Sequence, residues 1–128
     1  MKLLVYTVSA FYLLYGLVFA ASPSGMFLLI NDAELTTNTA LVDVRATYGG
    51  LTLAVGIAIA YLGITNRLSE ALVVSAVMLF GMAIARAFGL FVDGPSNWLM
   101  YLYLALEIIG GGLALVLMRY APEDGNDA

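Results

Sequence analysis
Four long stretches of this 128-residue chain carry only a handful of charges, and each is about as long as a lipid bilayer is thick. They cover about residues 3–21, 40–64, 70–92 and 97–120. A helix needs ~20 apolar residues to cross the hydrocarbon core. In lipid, only helices and closed barrels satisfy every backbone polar group. The spacing therefore predicts an all-α fold: a single integral membrane domain over residues 1–121, a four-helix bundle running up-down-up-down. Residues 122–128 read as an acidic cytoplasmic tail. Composition agrees, with 62% hydrophobic and 11% charged residues and a mean hydropathy of +0.97. A water-soluble domain of this size could not hide so much apolar surface.

Taken in order, the first run follows Lys2 and reaches Ala21. Val18 and Ala20 offer a signal-cleavage pattern, but the run is long for a signal peptide and holds Tyr6, Tyr12 and Tyr15. It reads as a retained membrane helix, with Ser9, Tyr12, Gly16 and Ala20 on its inward face. Ser22-Pro23-Ser24-Gly25 reads as a helix break. Met26 to Ile30 is apolar but too short to cross, so it is placed at the interface or in the bundle mouth. Asn31 to Thr39 reads as an exposed loop, and Asn38 or Thr39 as the cap of the second helix.

At 100° per residue, Arg45, Gly49, Thr52, Gly56, Ile59 and Gly63 share one stripe of the second helix, with Tyr48 at its edge. The third helix carries Ser75, Leu79, Met82, Arg86, Leu90 and Asp93 on one stripe. Gly81, Ala85 and Gly89 form a small-residue ridge beside it, and Ser69 reads as its cap. The fourth carries Met100, Tyr103, Glu107, Gly111, Ala114 and Met118, with Ser96 as its cap. Gly49, Gly56, Gly81, Gly89 and Gly111 are the expected packing glycines, since small residues let helices approach closely in lipid. The Gly110-Gly111-Gly112 triplet is expected to admit a close backbone contact. Trp98, Tyr101 and Tyr103 mark the membrane interface.

Several function classes lose support at this point. There is no Cys and no His, which removes thiolate and imidazole metal ligands and the usual neutral-pH proton carrier. No metal, cofactor or catalytic residue is assigned. The net charge of -4 argues against a nucleic-acid partner, which wants a basic face. Glycine pairs such as Gly49-Gly50 lack the Lys-Ser/Thr of a phosphate loop.

What remains is a small set of charges inside apolar runs. Arg86 lies ~10 Å inside the end of its helix and Glu107 ~14 Å inside the end of the next, at 1.5 Å per residue. An unpaired arginine at mid-bilayer costs about 2.5–3.5 kcal/mol on insertion scales. Pairing Arg86 with Glu107 is the simplest answer to both. The pair either fixes helix register or lines a polar cavity; spacing alone leaves both readings open. Arg45 and Tyr48, with Asp43 and Asp93 as rim residues, complete the set.

The series Asp43-Val44-Arg45-Ala46-Thr47-Tyr48-Gly49-Gly50, then Arg86 with Gly89, then Asp93-Gly94-Pro95-Ser96, and Glu107 in the last run, resembles the small bacterial and archaeal membrane proteins grouped as domain of unknown function 4345. The resemblance covers nearly the whole chain. It implies a four-helix integral membrane protein with Arg45, Tyr48, Arg86, Asp93 and Glu107 as its characteristic polar set, and it implies no activity.

Three function classes follow. The first is a non-enzymatic binding or accessory protein that holds a lipid headgroup or small amphiphile in an outward pocket formed by Arg45, Tyr48, Arg86 and Glu107. The second is a membrane enzyme on a lipid-soluble substrate, with Glu107 as acid/base. The third is an oligomeric transporter or channel with glycine stripes as subunit contacts. Membrane lipid is the expected partner, with a homo-oligomer or another membrane protein as alternatives. Basic residues near segment ends set the orientation. Lys2, Arg67 and Arg119 all face the cytoplasm if both termini of a multi-pass cell-membrane protein do so. Reporter fusions test this: a carboxy-terminal fusion and one at residue 66 should report cytoplasm, and one at residue 94 should report the outside. A carboxy-terminal reporter active outside would contradict the orientation.

Overall fold
The computed structural model describes residues 1–121; the acidic segment 122–128 falls outside the described residues. Among the described residues all regular structure is helical, with no strand. Four helices are long and apolar enough to cross a membrane: Lys2–Ala21, Asn38–Ile64, Leu68–Val92 and Trp98–Met118. Contacts group the chain into two compact units, Tyr6–Tyr61 and, separately, Met1–Val5 with the chain from Leu62 onward.

The Tyr6–Tyr61 unit is built on α1 (Lys2–Ala21), α2 (Pro23–Asn31), α3 (Asn38–Val44), a π-helical segment (Arg45–Leu51) and α4 (Thr52–Ile64). The last three run continuously as one helix and lie antiparallel to α1. Glycine sets that approach. A Cβ placed on Gly16 would come within 2.7 Å of the Leu53 nitrogen, one on Gly49 within 2.9 Å of the Ala20 nitrogen, and one on Gly56 within 2.9 Å of the Leu13 nitrogen. Each clash is with backbone, which cannot swing aside as a side chain can. Close approach lets the Ser9 hydroxyl donate to the Gly56 carbonyl at 2.9 Å, inside a buried seam with Tyr12, Phe19 and Ile59.

Local readings change in three places in this unit. Ser22 to Gly25 is not a plain break: α2 begins at Pro23, whose missing N–H costs nothing at a first helical position. At nine residues α2 is too short to cross a bilayer. It ends with Asp32 in the left-handed region at φ 53°. The second long helix is capped by Thr37, not Asn38 or Thr39; its side chain accepts from the Ala40 N–H at 3.1 Å. The stretch Arg45–Leu51 is wound as a π-helix, which a constant 100° per residue does not anticipate. Two threonines take up carbonyls at this widened turn: Thr47 donates to Asp43 at 2.7 Å, and Thr52 to Tyr48 and to Gly49, the latter at 3.0 Å.

The other unit is dominated by an antiparallel hairpin of α5 (Leu68–Val92) and α6 (Trp98–Met118). Its turn uses Gly94 at φ 97°, a conformation that costs glycine nothing. The α6 cap is Asn97, one residue past Ser96; its side chain accepts from the Met100 N–H at 3.3 Å. At the start of α5 the cap position is Arg67, not Ser69. No side-chain cap bond forms there; Arg67 instead pairs with Glu70 at 2.6 Å. Ala71, Leu72, Ser75, Ala76, Leu79 and Ala83 of α5 are buried, as are Glu107, Gly111 and Ala114 of α6. The Gly110-Gly111 step receives side chains and not backbone: Cβ atoms there would meet Leu79 at 3.1 Å and Phe80 at 2.9 Å. Gly81 faces open space and Gly89 has only the Asp93 carboxylate nearby, at 3.6 Å, so the Gly81–Gly89 ridge does not pack within its hairpin.

A steric contrast follows. Gly56→Ala should lower stability to unfolding in detergent micelles by about 1–3 kcal/mol, the usual cost of overpacking. Gly81→Ala should be neutral or gain up to about 1 kcal/mol, because alanine favours helix and nothing obstructs it. Titration with a denaturing detergent, followed by circular dichroism, reads both. Equal effects at the two sites would contradict the packing described.

Candidate functional site
Two polar clusters carry the residues singled out in the sequence, one in each unit. The first lies in the α5–α6 hairpin. Arg86 and Glu107 face each other across the helices and form a bidentate ion pair. Nη2 donates to Oε1 at 2.7 Å, and Nε lies 3.1 Å from Oε2 and 3.3 Å from Oε1. The carboxylate is buried, with its side chain 6% exposed against 22% for the arginine. The guanidinium is held by more than its counter-charge. Nη1 donates to the Met100 sulfur at 2.9 Å, and Cζ lies 5.3 Å from the centre of the Tyr103 ring. Met100, Tyr103 and Glu107 stand one helical turn apart on α6, so three successive rungs converge on one cation. A cation over an aromatic face gains ~0.5–2 kcal/mol, more where water is scarce.

The second cluster surrounds the π-helical segment. Arg45 sits at its start and donates through Nη1 to the carbonyl of Ala20, near the end of α1. Tyr48, three residues on, lays its ring against Phe19 at 5.2 Å and meets Phe27 of α2 edge to face at 6.2 Å and 87°. The rings continue down α1, from Phe19 to Tyr15 at 4.8 Å and on to Phe11 at 5.7 Å. Phe19 is fully buried, whereas the Tyr48 side of the cluster is 40% exposed. Arg45 makes that one hydrogen bond among the described residues, and the Tyr48 hydroxyl makes none, so most of the arginine's donors are uncommitted. Asp43 and Asp93 are both exposed. Asp43 takes part here only through its carbonyl, which accepts from Thr47. Asp93 closes the end of α5, its N–H donating to the Gly89 carbonyl at 2.8 Å.

The structure thus joins Arg86 to Glu107 and sets Arg45 and Tyr48 against adjacent residues of α1, Ala20 and Phe19. It adds Met100 and Tyr103 to the first pair and Ala20, Phe19 and Phe27 to the second. A signal for the former was present, since Met100 and Tyr103 share the Glu107 stripe. The Phe11, Tyr15, Phe19 spacing of four marks a ring ladder on α1, but nothing local ties it to Tyr48. Among the described residues no group of three or more acidic side chains is arranged to hold a metal ion.

A family model described as Domain of unknown function (DUF4345) matches residues 1–118. The chain belongs to that family. The match takes in all four candidate spans of this DUF4345 member and both polar clusters. No curated protein and no solved structure matches the chain.

The hairpin pair gives a direct test. Arg86→Met and Glu107→Gln should each destabilise the protein by about 3–5 kcal/mol, because each leaves a buried charge alone. The double variant should lose less than the sum. The swap Arg86→Glu with Glu107→Arg should recover only part, since the relocated cation no longer lies over Tyr103. Additive losses in the cycle would show that the pair is not coupled.

Proposed function
We propose that this membrane protein is a non-enzymatic binding or accessory protein whose Arg45–Tyr48 cluster holds a lipid headgroup or small amphiphile. The observation that carries the reading is the state of Arg45. One of its N–H groups is tethered to the Ala20 carbonyl, which orients the side chain, while its other donors have no partner among the described residues. Arginine's rigid fork suits planar carboxylate and phosphate oxygens, and a tethered fork loses less freedom on binding. In the orientation set by Lys2, Arg67 and Arg119, Arg45 lies just inside the outer end of its helix. That is the depth of lipid headgroups in the outer leaflet of a cell membrane.

The pocket first read from the sequence also included Arg86 and Glu107. Their mutual pairing narrows the reading: a guanidinium already neutralised by a buried carboxylate offers little to an anion, so the pair is assigned to holding the hairpin. The same pairing weakens the enzyme reading, since both carboxylate oxygens are already engaged by Arg86. The oligomeric channel or transporter has one observation in its favour, the open face at Gly81 and Ala85. Such a ridge is as well suited to lipid.

Native mass spectrometry of protein released from gentle detergent tests the proposal. Wild-type protein should retain lipid or amphiphile stoichiometrically. Arg45→Ala should reduce retention at least tenfold, with helical content and melting temperature little changed. An unchanged bound-lipid profile in Arg45→Ala would overturn the reading and leave the cluster as scaffold.

A further inference from the structure
We infer that the group held at this cluster is a zwitterion, a phosphate diester carrying a terminal ammonium, and not a simple anion; this rests on the headgroup reading above. Three observations within the Tyr6–Tyr61 unit point the same way. First, Arg45 and Tyr48 are anchored on adjacent residues of α1, the guanidinium on the Ala20 carbonyl and the ring against Phe19. A phosphoammonium headgroup is short enough to reach from one anchor to the other, its phosphate at the Arg45 fork and its ammonium at the Tyr48 ring.

Second, the surface at that point is aromatic and open. Tyr48 is 40% exposed, and Phe27 stands at 87° to it, forming a two-walled corner backed by Phe19. Ring faces carry negative potential and attract alkylammonium groups, most strongly where water is excluded. The Tyr48 hydroxyl, with no partner among the described residues, is consistent with a ring used for its face.

Third, the charge balance of this unit does not favour an anion alone. Asp32, Glu34 and Asp43 stand against Arg45 as the only charged side chains between Tyr6 and Tyr61, a net charge of -2 from three acids and one base. All three acids are exposed. A net negative unit attracts an anion less than a zwitterion, whose ammonium offsets the phosphate that meets the one arginine.

The test compares headgroups. The protein is reconstituted into nanodiscs with equal amounts of choline-headgroup, ethanolamine-headgroup and glycerol-headgroup phospholipid, and the lipids retained on release are counted by native mass spectrometry. The two ammonium-bearing lipids should be retained at least fivefold over the anionic glycerol lipid. Tyr48→Ala should erase that preference while keeping some phosphate-dependent retention, and Tyr48→Phe should preserve it. Millimolar free phosphocholine should compete if the soluble headgroup suffices; failure to compete, with the lipid preference intact, assigns recognition to the membrane-anchored form of the same zwitterion. Retention of the anionic lipid at equal or greater level overturns the inference while leaving the headgroup reading in place. Retention of no lipid at all removes both. A Tyr48→Ala variant that keeps the full preference also overturns it, because the ring would then take no part.

Discussion
In lipid, helices gain nothing from burying apolar faces against one another, because the acyl chains are as apolar as leucine. Association must come from close packing and from polar contacts that the hydrocarbon cannot replace. Each half of this protein meets that constraint in its own way. In the Tyr6–Tyr61 unit, Gly16, Gly49 and Gly56 bring two backbones so near that a Cβ would collide, and the Ser9 hydroxyl reaches across to the Gly56 carbonyl. In the α5–α6 hairpin the glycines receive only side chains, and a buried ion pair supplies the specific contact.

The ion pair also explains how two charges are tolerated in an apolar run. Glu107 is deep and nearly unexposed, yet both oxygens accept from Arg86. The arginine's charge is then shared with the Met100 sulfur and the Tyr103 face. Three α6 side chains one turn apart read the position of one α5 side chain, so a slip of either helix by a single residue would break all three contacts. The pair therefore specifies register, a role for which buried polar groups are well attested. Arg45 is placed differently. It is exposed, its one partner is a backbone carbonyl, and losing it strands no buried counter-charge. That contrast separates the cluster that holds the hairpin from the one proposed to bind a headgroup.

Much of this was legible in the sequence. Apolar length located the four candidate spans, and depth along adjacent helices matched Arg86 to Glu107. What escaped has physical reasons. A fixed 100° period has no means of registering the wider turn at Arg45–Leu51, although Thr47 and Thr52, each able to bond back to a carbonyl, were a cue. Pro23 signals a helix start as readily as a break, and here it starts α2. Caps moved by one or two residues because Thr37, Asn38 and Thr39, or Ser96 and Asn97, are chemically near-equivalent and only geometry selects among them. The Gly81, Ala85, Gly89 ridge looked like the seams at Gly49 and Gly56. Small residues at a spacing of four mark both a helix contact and a bare lipid face, and sequence does not distinguish the two.

The central claim is that Arg45, and not Arg86, meets the phosphate of a lipid. Solid-state NMR measures this directly through phosphorus-to-guanidinium-carbon dipolar dephasing, on protein reconstituted in bilayers with labelled arginine and assigned by single substitutions. The account predicts strong dephasing at Arg45 Cζ, as expected for hydrogen-bond contact with a phosphate, and none at Arg86 Cζ. Dephasing at Arg86, or its absence at Arg45, would contradict it.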